Sequence, residues 1–174
     1  AYDEGGWVVY MSSFSKYISP GMRLGVAAVN NPLLLRKMVI GKQSTDVHSP
    51  TLTQAIVDAY LRRGLMPAHL ERICAGYRAQ LNAMLEAFVS FPAGTAHTVP
   101  EGGLFVWAAL PEGVNAMNVF SRAVKAGVAF VPGTHFYPDG GHENTMRLNF
   151  SMNEIPAIQE GMRRLKGAIE EEMR

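Results

Sequence analysis

A chain of 174 residues, 48% apolar and 18% charged, has the balance of a globular protein and enough length for one domain or two small ones. Its formal net charge of +1 gives no overall drive toward nucleic acid or an anionic membrane, and no apolar run approaches the roughly 20 residues that span a bilayer. The single cysteine, Cys74, excludes an intrachain disulfide and suits a reducing compartment, so the cytoplasm is the expected location.

The opening "AYDEGGWVVYMSSF" carries no initiator methionine and no signal core. It reads as a fragment whose upstream sequence supplies neighbouring strands. Trp7 to Met11 is a compact apolar run and predicts a buried strand ending at the serines. Arg23 to Val29 predicts a second. Asn31 then caps a helix with Pro32 at its first position, and Ser49-Pro50 repeats the signal before a helix that closes at Gly64. From Met66 to about Val89, Leu70, Ile73, Tyr77, Leu81, Met84, Leu85 and Phe88 recur at helical spacing, and Cys74 beside that stripe reads as packing. "GLFVWAAL" and "GVAFVPG" predict strands flanking a helix in "NAMNVFSRAVKAG". In "TMRLNFS", Met146, Leu148 and Phe150 alternate with Arg147, Asn149 and Ser151, the period-two pattern of a strand with one apolar and one polar face. A terminal helix follows from Asn153. Strands alternating with helices give an α/β class, with a boundary near Pro67.

"SSFSKYISPGMR" places Lys16 among Ser12, Ser13 and Ser15, with Arg23 seven residues on. The bland reading is a solvated turn. The chemical one is that a lysine attacking a carbonyl sits in a partly desolvated or cationic pocket, while small hydroxyls and a forked guanidinium hold an anion, a set that fits a phosphorylated aldehyde. The five histidines show no metal-ligand spacing with cysteine or acids, so no metal site is expected, and Arg62-Arg63 and Arg163-Arg164 read as solvated helix ends.

"SSFSKYISPGMRLG" resembles the lysine motif of the class I/II aminotransferases, the fold type I enzymes that use pyridoxal 5′-phosphate. "VVYMSSFSK", "KQSTDVHSPTLTQ", "PEGGLFVWAALPEG", "VAFVPGTHFY" and "NTMRLNFS" follow in the order seen in the 2-aminoadipate aminotransferase-like branch. The resemblance implies the C-terminal part of that fold: residues 1–66 a remnant of the large cofactor-binding α/β domain, and 67–174 a long linking helix with the small α+β domain. It makes Lys16 the Schiff-base lysine and proton carrier, Ser13 and Arg23 holders of the cofactor phosphate, Ser15 a further phosphate-side candidate, and Arg147 the arginine for the substrate α-carboxylate. It also implies an amino-acid and a 2-oxo-acid substrate, a homodimer, a loop at Pro132-Gly133 near the substrate with Phe136 as an apolar wall, and His48 near the site mouth. For His48 a plain surface role is the simpler reading; for Gly102-Gly103 an ordinary bend and, by the resemblance, a close approach of backbone to substrate stand level.

The enzymes resembled pair a carboxylate with the pyridine nitrogen well upstream of the lysine. Here Tyr2, Asp3 and Glu4 stand too close to Lys16 to fill such roles. The chain alone is therefore expected to transaminate poorly. Two other readings stay open: the effector-sensing domain of a winged-helix transcription regulator, and an inactive fragment.

Overall fold

The computed structural model describes residues 3–174, so Tyr2 lies outside the described residues. The chain divides into two compact units, Ala1–Glu71 and Arg72–Arg174.

In the first unit, β1 (Val9–Ser13) pairs antiparallel with β2 (Gly25–Val29), Ser13 opposite Gly25 and Val9 opposite Val29. Both strands begin later than the apolar runs suggest, for local reasons. The Asp3 carboxylate accepts hydrogen bonds from the Trp7 and Val8 amides at 2.9 and 3.2 Å, so those residues close a turn before the ladder starts. Arg23 adopts a left-handed conformation, φ 48° and ψ 41°, closing a 3-10 turn over Pro20–Met22, and β2 begins only beyond it. The helix α1 (Pro32–Asp46) starts as expected: Asn31 Oδ1 accepts from the Leu33 and Leu34 amides. The helix α2 (Thr51–Arg62) does not take Ser49 as its cap; extended Pro50 occupies the cap position, and Gln54 reaches back to the Ser49 carbonyl instead. Gly64, at φ +67°, ends that helix region as its sequence implies.

The expected burial of the first strand is overturned. Trp7 is 86% exposed, Tyr10 and Met11 are exposed, and Val57 is the one buried hydrophobic among the described residues of this unit. The reason is architectural: β1 and β2 pair only with each other among the described residues, and a two-stranded ribbon has no second layer of its own to cover it.

The second unit has a true core. The helix α3 (Met66–Phe88) delivers Met84 and Phe88 to it, with Tyr77, Leu81 and Leu85 partly buried alongside. Cys74 is exposed rather than packed, because it falls beside that stripe and not on it. A four-stranded antiparallel sheet has the order β3 (Ala96–His97), β4 (Phe105–Ala109), β6 (Thr145–Asn149), β5 (Val131–Pro132). β3 is absent from the sequence reading, and β5 is far shorter than "GVAFVPG" suggests because the chain turns into a 3-10 segment, Gly133–Phe136, straight after Pro132. One sheet face presents Val106, Ala108, Met146 and Leu148 to α4 (Ala116–Lys125) and α5 (Ile155–Glu172), whose Val119, Ile158, Met162, Leu165 and Ile169 complete the core. No helix among the described residues is long and apolar enough to cross a membrane.

Candidate active site

The β1–β2 connection is a closed loop. Its neck is the Ser13–Gly25 pair, extended by a hydrogen bond from the Phe14 amide to the Leu24 carbonyl at 3.0 Å. Inside it the Ile18 and Ser19 amides both donate to the Phe14 carbonyl, winding the chain tightly around Lys16. The Tyr17 carbonyl accepts from His69 Nε2 at 2.7 Å, so this ring nitrogen carries the proton and pins the loop to a residue 52 positions away. His69 itself meets Tyr60 edge-on.

Ser13, Ser15, Lys16 and Arg23 are thus brought onto one loop. The Ser13 hydroxyl donates to the Ser15 hydroxyl at 3.0 Å and accepts from the Ser15 amide at 3.2 Å. The side chains of Lys16 and Arg23 are exposed and make no hydrogen bond or ion pair among the described residues. Two unneutralised cations beside paired hydroxyls are the donor set an anion requires, and a phosphate ester with a reactive carbonyl satisfies both the anion site and the amine. In one respect the loop departs from expectation: Lys16 is exposed rather than partly desolvated, on a ribbon whose strands pair only with each other among the described residues. Asp3, held by Trp7 and Val8, and exposed Glu4 stay outside the loop.

Arg147 belongs to the second unit and stands in β6 opposite Trp107 of β4 and Val131 of β5. Its face is the one turned away from the core, as the alternation implies. Its guanidinium carbon lies 4.1 Å from the Phe105 ring centroid and 4.8 Å from that of Phe136. Phe105 was legible only as a strand residue. The signal for it is the two-residue spacing of Phe105 and Trp107, which puts both rings on the face shared with Arg147. His48 is exposed, its Nδ1 3.0 Å from the Ser49 carbonyl, and Gly103 has φ +85° in a bend.

No family model matches the chain. Relatives and solved structures do. The chain is 43% identical to an aromatic-amino-acid aminotransferase of Thermococcus litoralis, over 100% of its own length and 42% of that protein's. A crystal structure of the alpha-aminoadipate aminotransferase of Thermus thermophilus, complexed with N-(5'-phosphopyridoxyl)-L-leucine, superposes with a TM-score of 0.89 at 42% identity, covering 95% of this chain and 42% of that one. The kynurenine aminotransferase of Pyrococcus horikoshii gives 0.91 at 40% identity, over 98% of this chain and 42% of that one. Similarity to HTH-type transcriptional regulators is lower, 26% for YdfD of Bacillus subtilis over 97% of this chain and 35% of that protein. The chain spans about two fifths of the length of the aminotransferases it matches.

Proposed function

We propose that this chain, whose fold is that of one part of the fold type I pyridoxal-phosphate-dependent aminotransferases, is the lysine- and carboxylate-bearing part of an enzyme that moves an amino group between an α-amino acid and a 2-oxo acid. The observation that carries this reading is the single closed loop presenting an unpaired primary amine, an unpaired guanidinium and two hydrogen-bonded hydroxyls. The transcription-regulator reading has the weaker similarity and no observation of its own to favour it.

Pyridoxal phosphate, when bound, supplies the electron sink for a carbon that gives up its proton. Ser15 would donate its hydroxyl hydrogen to the phosphate, Ser13 would do so only by turning its own away from the Ser15 oxygen, and Arg23 would add two parallel N–H donors and a permanent charge. Lys16 would anchor the cofactor through its amine, and that amine, when free, would be the base that takes the substrate Cα proton. Arg147 grips the substrate α-carboxylate bidentately. Asp3 turns one lone pair of each oxygen to the Trp7 and Val8 amides and stands outside the loop; with no carboxylate of this chain assigned to the pyridine nitrogen, the chain alone is expected to turn over poorly. On the same reading residues 1–66 are the remnant of the large domain, 67–174 are the linking helix with the small domain, and the whole enzyme works as a cytoplasmic homodimer.

The test is chemical. The chain is mixed with pyridoxal phosphate, reduced with borohydride, digested and analysed by mass spectrometry. The phosphopyridoxyl label is expected on the Lys16 peptide, weakened in Arg23→Ala and absent from that peptide in Lys16→Ala. Equal labelling of the other lysines, with Lys16 not preferred, rejects the assignment.

A further inference from the structure

Arg147 has no anionic partner among the described residues. Its Nε is buried without a hydrogen-bond partner, and among the described residues its side chain makes no ion pair. Two rings approach the guanidinium instead, Phe105 from the facing strand and Phe136 from the 3-10 segment after β5. Phe136 is itself held by Trp107, edge-on at 5.3 Å with an interplanar angle of 84°. Trp107 sits directly opposite Arg147 across the β4–β6 ladder, so ring, ring and cation share one sheet face.

We propose that Phe105 and Phe136 are positioning residues: an aromatic clamp that holds Arg147 extended over the open sheet face while leaving its terminal nitrogens free for a carboxylate. The inference rests on the reading of Arg147 as the carboxylate-binding residue, and says how it is kept ready. An aspartate or glutamate would hold the arginine equally still, but would occupy the N–H donors that a ligand carboxylate needs. A ring face attracts the cation through its quadrupole and offers no competing oxygen. It also confines a long, flexible side chain before the ligand arrives, which lowers the ordering cost of binding. The buried, unpartnered Nε agrees with this division of labour, since recognition is then left to the terminal nitrogens.

The experiment follows the Arg147 Nε–H resonance of the isotope-labelled chain by NMR, assigned with Arg147→Lys, and titrates pyruvate as the carboxylate probe. The signal is expected to be shifted upfield by the rings, to show proton contacts to both phenyl groups, and to move on adding pyruvate. Phe105→Leu and Phe136→Leu keep the apolar volume and lose the quadrupole; each should abolish its part of the upfield shift and weaken pyruvate binding by about 2- to 5-fold, the exposed cation–π range. Phe→Tyr at either position should restore both. A merely structural contact would leave pyruvate affinity unchanged in the leucine variants, and that result overturns the positioning role. Absence of the ring shift and of the phenyl contacts in the parent chain overturns the clamp, whatever pyruvate does. A clamp signature with no response to pyruvate in parent or variants instead rejects the carboxylate reading beneath it and reduces the clamp to packing.

Discussion

Gly133→Ala tests how tightly the 3-10 segment bearing Phe136 is seated on β6. An alanine Cβ at this position would stand 2.7 Å from the Thr145 Cβ and 2.9 Å from the Thr145 carbonyl carbon, and would also strike its hydroxyl oxygen. Carbon atoms prefer separations of about 3.5–4.0 Å, so the overlap is on the order of 1 Å. The obstacle does not yield easily: Thr145 is buried, its hydroxyl donates to the His142 carbonyl at 2.7 Å, and its backbone is paired with Ala109. Overpacking of this kind costs about 1–3 kcal/mol. The lower end applies if the segment swings outward, and that relief would carry Phe136 away from Arg147. Urea denaturation should show a lower midpoint with an unchanged slope, and the Phe136 share of the Arg147 ring shift should shrink in parallel. Adding Thr145→Gly removes the struck Cβ and hydroxyl and leaves only the backbone carbonyl carbon, so the double variant should lose less than the sum of the two single losses. Gly133→Ala as stable as the parent, with the ring shift intact, would refute the packing argument.

Arg23→Gly separates stability from binding: the left-handed backbone at φ 48° costs a non-glycine residue about 1 kcal/mol or more, partly offset by glycine's freedom in the unfolded chain, so thermal stability should hold or rise slightly while Lys16 labelling by pyridoxal phosphate falls. Asn31→Ala removes the acceptor for two α1 amides and should lower stability by about 1 kcal/mol, most visible as faster amide exchange at Leu33 and Leu34. Hydrogen bonds from Arg163, then Arg164, hold the Glu160 carboxyl down to about 2 from its usual 4.5. A depressed folded-state value stabilises above the unfolded one and is lost as acid is added, so this contribution should fade between about pH 4.5 and 2; carboxyl NMR titration should place the midpoint near 2, rising in Arg163→Ala and in high salt.

The sequence was most readable where local chemistry acts alone. Asn31-Pro32 marks a helix start because cap and first-turn geometry are settled within four residues, and Gly64 marks an end because a left-handed backbone favours glycine. The alternation in β6 told which side of the strand Arg147 would take. It could not tell what the arginine would meet, since Phe136 reaches it from a segment whose path depends on the close seat of Gly133 against Thr145. The start of β1 was hidden for a similar reason: the Trp7 and Val8 amides are claimed by Asp3, and nothing in an apolar run announces that competitor. Burial of that strand was misjudged because hydrophobicity says a residue favours cover without saying which layer supplies it.

The Lys16 loop and the Arg147 strand also differ in what fixes each of them, and the difference is measurable. Met146 and Leu148 are buried in the core on either side of Arg147, and a one-residue slip of β6 would drive the guanidinium into that core and expose both apolar chains. Register in β6 is therefore enforced by packing, and Arg147 inherits its aim from its neighbours. The Lys16 loop has no such backing: it relies on the Ser13–Gly25 neck, the Phe14 carbonyl and the His69 contact, in a unit with one buried hydrophobic among its described residues. Backbone amides bonded within the β4–β6 ladder should accordingly exchange with solvent far more slowly than those of the β1–β2 ladder, approaching the limit set by global unfolding. Pyridoxal phosphate should slow exchange in the second group, by binding the loop that joins those strands, and leave the first unchanged. Equal protection of both ladders without cofactor would mean that the Lys16 ribbon has a source of rigidity other than its local hydrogen bonds, and the assignment of its stability to them would be wrong.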